Sequence, residues 1–204
     1  MHPNAAFAWT DEAEMLDFVR QRSFAHIFTS GASGPKVAHA PLHVTEDGRV
    51  QFHLFVSNPA LKGMEGQPLV ISVSDLDGYH SANWYASADQ VPTWHYRIVE
   101  IEGIARRLDH DGLVRLLDEF SAEMEGRSPG KPWTRGKMTP GKFEALTKAI
   151  VGFKLDGQRL RGTLKLNQHK GEADIEANVV GQRQAGRADL AEAIASHWRA
   201  RQAR

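Results

Sequence analysis

Cysteine is absent from the 204 residues. Disulfides and thiolate metal sites are thereby excluded, and a reducing cytosol poses no difficulty for the chain. Excess charge is absent as well. Lys+Arg and Asp+Glu both number 25, so nothing global pulls the chain toward nucleic acid or an anionic membrane. No apolar run approaches the roughly 20 residues of a membrane span. The opening MHPNAAFAWTDEAEM has neither a basic n-region nor an apolar core, so no signal peptide is expected and the expected location is cytoplasmic. No GxGxxG follows a strand, GxSxG and HExxH are missing, and no Ser/His/Asp arrangement stands out. Internal repeats and low-complexity linkers are missing too. The expectation is one globular domain over residues 1–204, long enough for a single generous core.

The densest feature present runs from Tyr79 to Arg106, YHSANWYASADQVPTWHYRIVEIEGIAR. It holds Trp84, Tyr85, Trp94, His95 and Tyr96, and from His95 to Leu108 it alternates like a strand. Rings and polar groups at the mouth of a strand suit a flat ligand, because rings stack and nearby donors fix orientation. The same cluster would equally plug one end of a barrel. Chemistry alone leaves both readings open.

The rest of the chain supplies short strands and helices. Thr10 caps DEAEMLDFVRQR, whose acidic first turn suits the helix dipole and whose Met15, Phe18 and Val19 make an apolar stripe. SFAHIFTSG reads as a strand. Lys36–Val44 and Val50–Val56 read as a hairpin around Thr45-Glu-Asp-Gly48. With Ala38, Ala40, Leu42, Val44, Val50, Phe52, Leu54 and Val56 inward, His39, His43, Gln51 and His53 face the other way. That face is open to three readings: a metal site, a solvated surface, or a surface against which a ligand or subunit lies. The metal reading lacks a carboxylate at ligand spacing.

PALKGMEG reads as a short helix capped by Ser57 or Asn58, with Pro59 first and Lys62 one turn in, an arrangement that offers N–H donors and a cation to a phosphate. Pro68–Ser74 reads as a buried strand and Asp75–Thr93 as a loop. Asp109–Met124 is a helix with Leu113, Leu116, Leu117 and Phe120 inward, followed by the basic, flexible loop GRSPGKPWTRGKMTPG. Lys142–Lys148 is a short helix, then Ala149–Leu155 and Gln158–Lys165 are two strands. LNQHKGEADIEANVVGQ carries no assigned element. A docked C-terminal helix occupies about 187–202, with Leu190, Ile194 and Trp198 at four-residue steps. Some seven strands with short helices between them predict a mainly β fold, a barrel with peripheral helices.

Several motifs carry a family resemblance. VPTWHY is similar to a VPTWNY signature, and His39-Ala40-Pro41-Leu42 looks like an HLPF element. His53 through Asn58-Pro59, followed by Lys62, resembles an HxxxxNP element and its basic residue. Ser81-Ala-Asn-Trp84-Tyr85-Ala86-Ser87 resembles SxxWYPS, while Lys165 to His169 with Glu172-Ala-Asp174 resembles KLSQN and its following EAD. These lie in the expected order over roughly residues 24 to 182. On them the chain resembles the PaiB-like FMN-binding negative transcriptional regulators. It departs from the pattern at His95 (Asn in the family), Ala86 (Pro), Leu164 (Trp), Asn167 (Ser) and His169 (Asn).

The resemblance implies an FMN-binding split β-barrel, normally a homodimer with the flavin at the subunit interface. It implies cofactor contacts from His39, His53, Ser57, Asn58, Lys62, Trp94, His95, Tyr96, Lys165, Asn167 and Gln168, and no metal. Phosphate would go to Ser57, Asn58 and Lys62; the ring to Trp94, His95 and Tyr96, with His39 and His53 as hydrogen-bond partners. Lys165, Asn167 and Gln168 would close the pocket. Two alternatives accompany the FMN-binding regulator: a flavin-dependent oxidoreductase acting on a small molecule, and a direct DNA-binding repressor. Neutral charge and the lack of a recognisable helix-turn-helix count against direct nucleic-acid binding.

Overall fold

The computed structural model describes residues 2–31 and 34–203, and among them seven strands and five α-helices. In chain order these are β1 (Ala8–Trp9), α1 (Glu12–Arg22), β2 (Phe24–Gly31), β3 (Gly34–Val44), β4 (Val50–Phe55), β5 (Pro68–His80), β6 (Thr93–Arg107), α2 (His110–Arg127), α3 (Lys142–Thr147), β7 (Ile150–Lys165), α4 (Glu172–Gln184) and α5 (Ala188–Gln202). The strands form one antiparallel sheet in the order β1-β7-β4-β3-β2-β5-β6, and β7 also pairs with β6, so the sheet is partly closed. This is the barrel-like sheet with helices that the alternation pattern predicts, although helix (38%) is as abundant as strand (36%). No described helix is long and apolar enough to cross a membrane.

By its contacts the chain divides into two compact units. The hairpin unit comprises Glu12–Val73 and Glu100–Leu160. Its centre is the β3–β4 hairpin, with Leu42 opposite Phe52 and Val44 opposite Val50. The turn holds that register: Gly48 N–H donates to the Thr45 carbonyl (2.9 Å), and Arg49 N–H to Thr45 Oγ1 (2.9 Å). Gly48 has φ +79°, a conformation glycine adopts without strain. Ala38, Ala40, Leu42, Val44, Val50, Phe52 and Leu54 are all buried, and Phe52 stacks on Phe153 with centroids 5.4 Å apart. Each such large side chain contributes about 1.5–3 kcal/mol by leaving water.

Two helices cover this unit. Asp109 caps α2 by accepting from Gly112 N–H at 2.7 Å, and Leu113 and Leu116 face inward. At the other end of α2, the Arg127 guanidinium donates to the carbonyls of Arg20 (2.9 Å) and Gln21 (3.3 Å) and to Ser23 Oγ. Those carbonyls end α1 and have no partner within it, so the cation closes that helix from outside.

The fold departs from the sequence expectations in several places. PALKGMEG is only a 3-10 turn, Pro59–Leu61, because Gly63 (φ +78°) and Gly66 (φ +73°) turn the chain out of helical conformation. The two strands expected at 149–165 are the single β7, which passes through Gly157 at φ +62° without ending. Val56 lies beyond β4 and is exposed.

The terminal unit comprises Met1–Asp11, Ser74–Val99 and Arg161–Arg204. Ala8 and Trp9 of β1 pair with Thr163 and Gly162 of β7. The expected loop at Asp75–Thr93 begins late, since β5 runs on to His80. Charge pairing makes that extension possible: Arg97 of β6 holds Asp75 through two nitrogens, and the Trp94 indole N–H donates to Asp77 (3.1 Å). Residues 172–184, unassigned in the sequence, form α4. Helices α4 and α5 meet in an apolar cluster of Leu166, Ile175, Leu190 and Ile194. They also close tightly on the chain around them. A Cβ on Gly78 would lie 2.7 Å from Leu190, and one on Gly181 only 2.5 Å from the Trp84 ring.

Candidate functional site

In the hairpin unit, the outward face of β2, β3 and β4 carries the features that a ligand would use. Alternation turns Phe24, His26 and Phe28 outward from β2, Val37 and His39 from β3, and His53 and Phe55 from β4. Four large apolar side chains stay exposed there: Phe24 (51%), Phe28 (44%), Val37 (49%) and Phe55 (57%). Such a concentration of apolar surface makes this face a candidate for binding. His26 and His39 sit opposite each other in the β2–β3 register and touch through their Nδ1 atoms at 2.7 Å, rings perpendicular. His53 is half-buried, and burial holds its imidazole below the ordinary range. At the far end of the same face His43 is covered rather than solvated. Its Nε2 and Nδ1 each lie 3.1 Å from a carboxylate of α2, Glu119 and Glu123. Among the described residues no cluster of three or more His, Cys, Asp or Glu could hold a metal ion.

The phosphate candidates lie just past β4. Asn58 Oδ1 accepts from Ala60 N–H at 2.9 Å, and Leu61 and Lys62 N–H donate back to Asn58 and Pro59 carbonyls. The turn therefore uses its own N–H groups, and the expected helix-end donors are occupied. Ser57 and the Lys62 ammonium remain exposed. Lys62 borders a small cleft with Thr29, Ser30 and Met64. Two larger open cavities belong to this unit: about 750 Å³ beside His43, Gln51 and Arg115, and about 550 Å³ along Phe28, Leu69, Val70 and Ile104.

The other six expected residues belong to the terminal unit and differ in availability. Trp94 is 49% exposed and Tyr96 half-buried. Lys165 is half-buried, its ammonium 5.6 Å from the Phe7 ring centroid, and burial lowers its pKa. His95 is entirely inside. Asn178 Nδ2 of α4 donates to its Nε2 at 3.0 Å. Burial first, then the neighbouring His80 imidazole, lowers the His95 pKa to about 3.

Asn167 is buried at φ +65° and accepts from the Tyr85 hydroxyl (3.2 Å). Gln168 accepts from Leu166 N–H (2.9 Å) and donates to the carbonyls of Ala6 and Leu164, so its amide is fully engaged. Asp174 anchors the aromatic loop. Burial pushes its carboxyl up, but the bonds from Ser87 N–H (2.9 Å) and hydroxyl (2.8 Å) outweigh that and hold it below the usual range. Sequence reasoning missed His26, Phe24 and Phe28, whose signal was the β2–β3 register opposite His39. It also missed His80 and Asn178 beside His95, for which no local pattern exists.

A partly closed antiparallel sheet with this strand order is the split-barrel class, and solved structures share it. The chain superposes on the flavocytochrome Anf3 of Azotobacter vinelandii (TM-score 0.62, 17% identity, 81% of this chain and 72% of that one). It also superposes on the FAD and heme binding protein of Mycobacterium smegmatis (TM-score 0.60, 17% identity, 78% and 73%). In sequence it is 29% identical, over 182 residues, to the protease synthase and sporulation protein PAI 2 of Bacillus subtilis strain 168, covering 87% of this chain and 86% of that one. Residues 1–159 match the family described as "Putative FMN-binding domain", and the chain belongs to that family. FMN is the cofactor that membership assigns.

Proposed function

We propose that this chain is a cytoplasmic FMN-holding homodimer with a regulatory role that it exerts without reading DNA itself. The observation that carries the proposal is the exposed outward face of β2–β4, where four large apolar side chains surround His26 and His39. That face suits a flat ring and a second subunit, and it would otherwise stay costly in water. Lys62 and Ser57 bind the phosphate, Asn58 shapes their turn, and His39 and His53 meet the polar edge of the ring. In the terminal unit Trp94, Tyr96 and Lys165 are a separate set of flavin-contacting groups; His95, Asn167 and Gln168 support them from inside that unit. Bound FMN would supply one- or two-electron transfer. The Bacillus relative's name, with its reference to protease synthesis and sporulation, supports regulation as the setting. Zero net charge argues against direct DNA reading.

Flavin fluorescence titration tests the phosphate site. A charge-assisted contact of about 1.5–3 kcal/mol is about ten- to a hundred-fold in affinity. Lys62→Ala should lose that much, while Lys131→Ala, in the basic loop, should lose nothing measurable. The reverse order would move the phosphate to the basic loop.

A further inference from the structure

The cavity of about 550 Å³ in the hairpin unit arises where two strands stop pairing. β2 and β5 are joined at His26–Ser72, Ile27–Ile71 and Phe28–Val70. Next along β5 come Leu69 and Pro68, and proline has no N–H with which to extend a ladder. The ladder ends at Phe28–Val70, and Thr29, Ser30, Pro68 and Leu69 beyond it all line the cavity. Phe28 also lies opposite Val37 of β3, so Val37, Phe28 and Val70 make one apolar row across three strands. Ile104 of β6 continues the apolar lining, and Gly103 and Gly157 add no side chain to fill it. Small-molecule sites usually occupy about 300–1,000 Å³ and are walled in this apolar way.

The charges around the cavity select the ligand. Three charged side chains line it, Glu102, Asp156 and Arg159. Each already has a partner: Arg159 lies 3.2 Å from Glu102, and Asp156 lies 3.1 Å from Arg106. An ionic ligand would give up its hydration against an apolar wall with no counter-charge left to receive it. The polar side chains on offer are the Thr29 and Ser30 hydroxyls, which both donate and accept. We propose that this cavity binds a neutral, mostly apolar molecule with a hydrogen-bonding oxygen, of the aromatic ketone or quinone class. Phe28 belongs both to the cavity and to the outward face given to the flavin, so the molecule lies beside the flavin ring. That last placement rests on the flavin reading; the cavity and its preference for a neutral ligand do not.

Two probes of one ring system test it on the full chain without flavin: 2-acetylnaphthalene, which is neutral, and 2-naphthoate, which is an anion. In amide NMR titrations the ketone should move the signals of Ser30, Val70 and Ile104. The carboxylate should bind at least about ten-fold more weakly. Ile104→Trp, which fills the cavity, should weaken the ketone by about ten-fold or more and leave FMN titration as in the parent. Equal binding of the two probes, shifts that avoid these residues, or an Ile104→Trp protein that keeps the ketone overturns the proposal. So does displacement of the ketone by FMN, which would make the cavity part of the flavin's own site. Absence of binding, with Ile104→Trp breaking a dimer into monomers by light scattering, would give the cavity to a second copy of the chain. Should Ile104→Trp fail to fold, the comparison of the two probes on the parent decides alone. FMN is titrated separately: ketone binding without FMN binding sinks the flavin reading only, and the converse sinks this one only.

Discussion

His95 makes a sharp test of the interior of the terminal unit, through the substitution His95→Asn. Its ring is 0% exposed, and burial, reinforced by His80, lowers its pKa from 6.5 to about 3. Between those values the unfolded chain binds a proton that the folded chain refuses, so stability is complete above the unfolded pKa and drains away as pH falls toward 3. The gap of about 3.5 units, at about 1.4 kcal/mol each, sets a ceiling near 5 kcal/mol. By pH 4.5 the loss relative to pH 7 is about 2.5 kcal/mol. Asparagine carries no titrating group and is the residue the family pattern has here. Urea unfolding at both pH values should therefore show the parent losing about 2.5 kcal/mol more than His95→Asn. His80, whose pKa burial also lowers, is present in both proteins and largely cancels. Equal losses, within about 0.5 kcal/mol, would refute the reasoning and mean that the ring accepts its proton without leaving the fold.

Three further outcomes are expected. Gly181→Ala drives a methyl group into the Trp84 ring, where a Cβ would stand 2.5 Å away; it should cost about 1–3 kcal/mol and shift the tryptophan emission. Light scattering at low micromolar concentration should give about twice the chain mass of 22.7 kDa, and a clean monomer would count against the interfacial role of the β2–β4 face. Gel shifts at physiological salt should show no discrete duplex complex at nanomolar protein; sequence-specific binding at that level would promote the repressor alternative.

The strands of the hairpin unit were legible because one face alternates cleanly: Ala38, Ala40, Leu42 and Val44 answer Val50, Phe52 and Leu54. Helix α4 was not legible, and the reason is physical. Its inward face carries Asp174, Asn178 and Gln182 at four-residue steps, so a search for apolar periodicity finds only Ile175 and Val179. The length of β5 was hidden likewise. Asp75, Asp77 and Gly78 read as turn residues until the partners of the two aspartates on β6 and the packing on Gly78 are known. At the candidate site, residue identities were legible from motifs, but availability was not. Nothing local distinguishes exposed Trp94 from wholly buried His95 one position later. The phosphate turn was overestimated because positive-φ glycines, rather than the proline and its cap, decided its length.

The Arg127 clamp has a kinetic consequence. A helix normally frays from its ends, and the last turn of α1 would be expected to exchange its amide protons quickly. Here the terminal carbonyls of α1 are held by a side chain at the end of α2, and α2 is itself gripped at its middle by His43 of β3. Opening the last turn of α1 therefore gives up the bonds from Arg127 and leaves its guanidinium only the ion pair with Glu123 of α2. The two helices, one ending at Arg22 and the other starting at His110, should behave as one cooperative opening unit, with amide protection in α1 set by the stability of α2.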